Sequence, residues 1–208
     1  MNSLTFENLT FERNQRVLFD PLNGKVESGE CLQIQGANGS GKSTLLRLLA
    51  GLLTSEMGEI RWQNQSIFRQ LDDYQQQLHY VGHRHGVRYH LTVLENIKLY
   101  GEIFLTKTGA HAGAKQKQRD ILSRLKLDTV LHRQAQHLSA GQLRRFSLAK
   151  LLLHPRPLWI LDEPTASLDN EGQQLFATLM QEHLRTDGMA IVATHSPFDW
   201  KTICLTLS

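Results

Sequence analysis

The sequence predicts an α/β fold, a parallel sheet flanked by helices and interrupted by a helical insert, and three observations predict it. A glycine-rich stretch, Gly36-Ala37-Asn38-Gly39-Ser40-Gly41-Lys42-Ser43-Thr44, lies between an apolar run of strand length and a helical run, Leu45-Leu46-Arg47-Leu48-Leu49-Ala50. Two later apolar runs of strand length end in chemistry-bearing residues, Asp162-Glu163 in one case and His195 in the other. Between them and the first strands, residues 88–150 change to helical periodicity. Alternating strands and helices around a phosphate-binding loop build a parallel sheet with crossover helices.

Taken in order, residues 3–35 alternate short apolar and polar runs. Leu4, Phe6 and Leu9 share a rough alternation and Val17-Leu18-Phe19 follows, with Pro21, Asn23-Gly24 and Ser28-Gly29-Glu30 as turns. Two or three short strands therefore feed the strand at 31–35. Residues 57–62 read as another strand with Asn64-Gln65 as its turn, and Tyr80-Val81-Gly82-His83 ends a buried strand before a loop through Arg84-His85-Gly86. Thr92 and Glu95 have the spacing of a capping box, so a helix starts there and continues through Leu99-Tyr100. Residues 106–118, rich in Gly, Ala and Lys, read as a mobile surface loop, and Ile121, Leu122, Leu125 and Leu127 resume a helix. Ser139 opens the next helix, which presents Arg144-Arg145 as a solvated face and stops at Pro155 and Pro157. Residues 158–161 are a buried strand, 171–185 an amphipathic helix and 189–194 a second buried strand.

Composition narrows the class. At 208 residues the chain builds one sizeable core, and a net charge of +3 supplies no argument for nucleic acid or lipid. Cys31 and Cys204, both in apolar runs, read as reduced core residues. The N-terminal residues have no basic start or long apolar run, so no signal peptide is expected. No stretch approaches the roughly 18 apolar residues that span a bilayer, so membrane action requires another chain to cross.

The chemistry follows from residue types and spacing. Glycines let the backbone of residues 36–44 wrap so that its N–H groups meet phosphate oxygens, Lys42 adds a point charge and Ser43 offers a hydroxyl to Mg²⁺. Asp162 and Glu163 end a parallel strand, where ligands of such sheets bind. Asp162 is placed to hold Mg²⁺ and Glu163 to orient or deprotonate an attacking water. His195, at the same sheet edge, is placed to contact a terminal phosphate. Leu138-Ser139-Ala140-Gly141-Gln142 adds a second helix N-terminus able to bind an anion, which makes sense if two chains complete each other's nucleotide sites.

This five-residue stretch has the form of the signature of the ABC ATPases, and the remaining parts resemble that family in order and spacing. The resemblance covers essentially the whole chain. It implies a P-loop NTPase with a RecA-like parallel sheet core, an N-terminal antiparallel β subdomain and a helical subdomain. Residues 1–208 form one ABC ATPase domain, with 1–87 and 151–208 as catalytic core and 88–150 as helical subdomain. It also implies ATP and Mg²⁺ as ligands. Residues 36–44 resemble the family's phosphate loop, Asp162 its metal-binding acid, Glu163 its catalytic glutamate, Ser167-Leu168-Asp169 its D-loop and His195 its switch histidine. Two such chains are implied to close head to tail over two ATP molecules, with Ser139, Gly141 and Gln142 of one facing the phosphates bound by the other.

Departures from the pattern narrow the resemblance further. Where most ABC ATPases carry a metal-contacting glutamine, this chain has His83, leaving two readings: a lost Mg²⁺ contact, or a subfamily feature. Gly82-His83, Leu91-Thr92-Val93-Leu94-Glu95-Asn96 and residues 157–164 resemble the ATPases of the haem exporters of cytochrome c biogenesis. That resemblance implies polytopic membrane subunits of the cytochrome c maturation type as partners, a homodimer of ATPase subunits, and haem contacted indirectly if at all. It also implies peripheral attachment at the cytoplasmic face of a bacterial inner membrane. An ATPase for a different transporter and a soluble ABC protein stay open as alternatives. Arg13 or Phe11 is the candidate to stack on adenine. His79, His83, His85 and His90 invite a metal- or haem-ligand reading, against a solvated contact surface facing a membrane subunit.

Overall fold

The structure, a computed structural model, describes residues 2–13, 16–105, 114–195, 198 and 200–207, without the side chains of 13, 16, 101–105, 114–115 and 117. The elements in chain order are Ser3–Thr10 (β1), Glu12–Arg13 (β2), Arg16–Val17 (β3), Leu22–Glu27 (β4), Cys31–Gly36 (β5), Lys42–Leu49 (α1), Met57–Trp62 (β6), Gln65–Ser66 (β7), Leu71–Gln76 (α2) and Leu78–Val81 (β8). Val93–Leu105 (α3), Ala114–Arg124 (α4), Ala140–Leu153 (α5), Leu158–Asp162 (β9), Asn170–Arg185 (α6), Met189–Ala193 (β10) and Ile203–Leu207 (β11) complete the chain. They form two compact units, one of Met1–Gly82, Arg156–Pro164 and Leu179–Ser208, the other of His83–Pro155 and Thr165–Thr178. The second unit takes in the helical stretch expected at 88–150 and extends over 83–155 and 165–178.

The first unit contains the expected parallel sheet, in the order β11-β5-β10-β9-β8, and an antiparallel sheet in the order β4-β1-β6-β7. β9 and β10 are buried along their whole length, which is why they read as continuous apolar runs and not as alternation. α1 packs on β9 and β10, and its Leu45, Leu46, Leu48 and Leu49 are fully buried in the core. Each such leucine contributes roughly 1.5–3 kcal/mol over an exposed one. The ragged spacing of Leu4, Phe6 and Leu9 has its cause in a register break of β1 between Phe6 and Leu9, with Asn8 at φ 49°. Asn23-Gly24 is not a turn: both lie inside β4, and Gly24 is paired with Phe6 of β1. A Cβ on Gly24 would come within 2.2 Å of the Phe6 ring, so the glycine makes room for that ring. Cys31 is buried as expected, but Cys204, on the edge strand β11, is exposed. The turn between β6 and β7 falls at Gln63-Asn64, both at positive φ, one residue earlier than the composition indicates.

In the same unit the Trp159 and His183 rings stack at 3.8 Å and 5°, and His183 Nε2 donates to the Met189 carbonyl at 3.0 Å. Burial pushes the His183 imidazole from its ordinary value of 6.5 down to about 4, against smaller upward contributions from hydrogen bonds to Met189 and Pro157. In that window the unfolded chain binds a proton that the folded chain does not, so stability falls as pH falls through it. The expected share of this one group is about 2 kcal/mol between pH 7 and pH 5. Urea unfolding at both pH values checks this: His183→Phe, which keeps a ring against Trp159, should lose about that much of the pH dependence.

In the second unit α3, α4 and α5 pack around Val93, Ile97, Leu122, Leu125, Phe146, Leu148 and Leu151. The Thr92–Glu95 capping box is present, with the Glu95 N–H donating to Thr92 Oγ1 at 3.2 Å and the Thr92 N–H to Glu95 Oε2 at 2.8 Å. Of the loop expected at 106–118, residues 106–113 lie outside the described residues and the rest belongs to α4. That helix starts earlier than expected and ends at Arg124, before Leu125 and Leu127. Arg144 and Arg145 are not a solvated face: they are 2% and 9% exposed. Helical periodicity fails there because residues 144–149 of α5 are buried on every side of the helix, and Arg145 finds its partner within the fold, at Asp169.

Candidate functional site: a phosphate loop and an acid–histidine edge

β5 ends at Gly36, and the chain reverses through residues 37–41 into α1. Two backbone positions demand glycine. At Gly36 a Cβ would meet the Leu207 carbonyl at 2.8 Å and Ser40 Oγ at 2.6 Å. At Gly41, the N-cap of α1, φ is 96° and a Cβ would meet the Phe19 ring at 2.9 Å. Lys42 is 8% exposed, and its ammonium donates to the carbonyls of Gly36 at 2.8 Å and Ala37 at 2.9 Å. Among the described residues no carboxylate pairs with it. The first turn of α1 holds no acid either. A buried cation at a helix N-terminus, held by backbone carbonyls and with no acid beside it among the described residues, is an environment that favours an anion. Ala37, Asn38, Gly39 and Ser40 form the turn of the loop, Gly39 at φ 85° with open space on its Cα, and Ser43 and Thr44 lie in the first turn of the helix.

Strand order brings the other residues to the same edge. β10 lies between β5 and β9, with Ala193 in register with Ile34 on one side and Asp162 on the other. The carboxyl ends of the three strands therefore deliver the phosphate loop, Thr194-His195 and Asp162-Glu163 side by side. Asp162 is 2% exposed. Tyr80 of β8 has its phenol raised, first by burial; the charge of Asp162 adds to this and a hydrogen bond from Arg47 opposes it. Glu163 adopts φ 48°, in the left-handed region that costs a non-glycine residue about 1–3 kcal/mol. Its N–H donates to the Ala193 carbonyl at 2.9 Å, which holds the residue there. Its Oε1 lies 3.5 Å from Nε2 of His195, whose side chain is half exposed while that of Glu163 is 18% exposed. Strain, burial and an imidazole partner thus meet at one carboxylate. The oxygens of Ser43 and Asp162 are the hard donors that Mg²⁺ takes while keeping several waters, so the donor set fits that ion.

The second unit carries the other candidates. Ser139 caps α5 with a full capping box: Oγ accepts from the Gln142 N–H at 3.2 Å, and Gln142 Oε1 accepts from the Ser139 N–H at 3.0 Å. Gln142 is therefore turned back onto its own cap. A Cβ on Gly141 would stand 3.1 Å from the Ser167 carbonyl, so glycine allows the turn of residues 165–168 to approach the start of α5. Ser167 itself is at φ 65°. Asp169 Oδ1 accepts from the Gly172 N–H at 2.8 Å and from Arg145 Nη2 at 2.6 Å. The Gly172 hydrogen bond first and the Arg145 guanidinium next hold its carboxyl below the usual range. Arg145 is a member of this group that the sequence does not announce; its partner is 24 positions away, and nothing local marks it.

Three expectations find less support in the geometry. His83 is exposed and opens the second unit, immediately after β8 and Gly82. The side chain of Arg13 lies outside the described residues, while its rival Phe11 is half-buried against the core of the first unit. His79 is buried in β8, whereas His83 and His90 are exposed, and among the described residues no three His, Cys, Asp or Glu side chains come together to hold a metal ion. Nor, among the described residues, is any helix long and apolar enough to cross a membrane.

The chain is similar to known proteins in sequence and in fold. Residues 19–166 match the ABC transporter family. The cytochrome c biogenesis ATP-binding export protein CcmA of Agrobacterium fabrum is 40% identical over 194 residues, covering 93% of this chain and 89% of that protein. The protein of the same name from Haemophilus influenzae is 38% identical over 197 residues, covering 93% and 89%. Among solved structures, the dimeric post-hydrolysis state of an ATP-binding cassette bound to ADP and phosphate superposes with a TM-score of 0.78 at 25% identity, covering 93% of this chain and 88% of that one.

Proposed function

Because the chain belongs to the ABC transporter family, we propose that it is the ATP-hydrolysing subunit of a membrane export complex of cytochrome c biogenesis. The family supports ATP binding and hydrolysis coupled to transport, action alongside membrane-spanning partners, and dimerisation. The relatives' names supply export in cytochrome c biogenesis; the narrower assignment, to haem export or to release of haem from its carrier, rests on the resemblance of Gly82-His83 and residues 91–96 alone. Attachment is peripheral, at the cytoplasmic face of a bacterial inner membrane, through polytopic partner subunits.

The observation that carries the catalytic reading is the buried Lys42 ammonium, without an acid partner among the described residues, at the sheet edge where Glu163 meets His195. Lys42 and the loop N–H groups bind the β- and γ-phosphates of ATP. Ser43 and Asp162 would hold Mg²⁺, which neutralises charge developing on the phosphate oxygens. Glu163 accepts the proton of the attacking water, and His195, within reach of that carboxylate, contacts the γ-phosphate and orients the water. Ser139 and Gly141 of a second copy supply N–H and hydroxyl donors to the same phosphate, which makes closure of two copies part of the site. Asp169, tied to Arg145, keeps the D-loop seated against the start of α5. His83 stands where other members place a metal contact, and Arg13 or Phe11 stacks on the adenine.

The test is a pull-down of the tagged chain from detergent-solubilised membranes, with mass spectrometry and a haem absorbance scan of the eluate. Recovery of cytochrome c maturation membrane subunits is the expected result. Recovery of a different permease would keep the ATPase mechanism and discard the export assignment. Recovery of no membrane protein would discard both assignments of partner.

A further inference from the structure

The segment that joins β8 to α3 is built more firmly than a surface connection requires. β8 runs parallel to β9 with Val81 beside Leu161, so the chain leaves the sheet for this segment at the edge that carries Asp162. One end of the segment is held by Asn96 of α3, which is fully buried. Its Oδ1 accepts from the Arg88 N–H at 2.8 Å, and its Nδ2 donates to the carbonyls of Arg88 at 3.0 Å, Leu91 at 3.2 Å and Thr92 at 3.0 Å. A single asparagine satisfying four backbone contacts gives the Asn of residues 91–96 a physical reason to be there.

The other end is held by Lys150, in the last turn of α5. Its ammonium donates to the carbonyls of His85 at 3.2 Å and Gly86 at 3.3 Å, and it lies 4.6 Å from the centroid of the Tyr100 ring. The Tyr100 hydroxyl donates to the same Gly86 carbonyl. Gly86 is at φ 64°, and a Cβ there would stand 2.6 Å from Lys150 Nζ, so a side chain at 86 would displace the ammonium. Burial pushes the Lys150 ammonium down to about 8, a sign of how far it has been withdrawn from water. A lysine placed so, with carbonyls and a ring face as its partners, serves the arrangement of the turn and not solubility.

We propose that Lys150 is the positioning residue that holds the His83–Gly86 turn onto the signature helix α5, so that the turn leaving the catalytic sheet edge and the helix capped by Ser139 move as one body. The inference rests on the reading of the chain as an ATP hydrolase. Hydrogen exchange by mass spectrometry on the full chain tests the pin without reference to activity. Lys150→Met and Gly86→Ala should each speed exchange of the amides at 84–87 by about tenfold, leave those at 91–96 unchanged, and be no faster in combination than alone. Lys150→Arg, whose guanidinium reaches both carbonyls, should keep the wild-type rate. In ATPase assays the Met variant should lose about tenfold in kcat with KM for ATP within about twofold, and the Arg variant should recover to within about threefold. Unchanged exchange in the Met variant overturns the proposal. Faster exchange with unchanged kcat overturns it too, leaving Lys150 a structural residue only. Should the Met variant fail to fold, Gly86→Ala decides by the same two readouts. An inactive wild-type chain would instead overturn the hydrolase reading, and the inference with it.

Discussion

Glu163→Gln should leave ATP bound while hydrolysis falls by roughly 10² or more, the usual scale for removing a general base. The substitution is nearly isosteric. The backbone N–H of residue 163 still donates to the Ala193 carbonyl and the side chain keeps its shape, so the fold has no reason to change. What disappears is the basic oxygen 3.5 Å from His195 Nε2. An ATP-loaded chain that cannot complete the cycle should stay closed against its second copy. Size-exclusion chromatography with ATP is therefore expected to show a dimer that the wild type loses on turnover. Normal hydrolysis by the variant would remove Glu163 from the mechanism.

Lys42→Ala should act one step earlier, on binding. The ammonium is buried, is held by two carbonyls, and has no acid among the described residues to share its charge. Charge-assisted hydrogen bonds are worth about 1.5–3 kcal/mol each. Two such contacts to phosphate oxygens correspond to a loss of roughly 10² or more in affinity. Titration of a fluorescent ATP analogue reads this directly. The Gly36 and Ala37 carbonyls also lose their donor in this variant, so faster hydrogen exchange over 36–41 is expected alongside. Together the two variants separate binding from chemistry: Glu163→Gln should bind and not turn over, and Lys42→Ala should do neither.

Much of the candidate site is legible in the amino-acid sequence because its information is local. A phosphate loop is a run of adjacent residues whose glycines answer to backbone sterics, as Gly36 and Gly41 do. Asp162-Glu163 and His195 announce themselves by ending apolar runs, and Ser139 and Thr92 cap their helices through partners three residues away. The family follows from the joint spacing of these pieces. The misleading stretches have the opposite character. Asn23-Gly24 reads as a turn because the residue that requires a glycine, Phe6, is in another strand. Arg144 and Arg145 read as solvated because charge on a helix is usually a solvated face, and the acid that takes Arg145 lies beyond the next strand. Cys204 reads as buried because an apolar run on an edge strand resembles one in the sheet interior.

The α/β class, the phosphate loop, the two acids, the histidine, the helix caps and the family are therefore written in the linear chain, since each depends on residues a few positions apart along one strand, loop or helix. Other features exist only once the chain has folded: Glu163 lies against His195, Arg145 holds Asp169, Trp159 shelters a neutral His183, and Lys150 pins Gly86. Those are contacts between residues from 24 to 64 positions apart. Their partners are chosen by strand order and helix packing, and by the need of each buried charge or polar group to find a counterpart once water has been excluded.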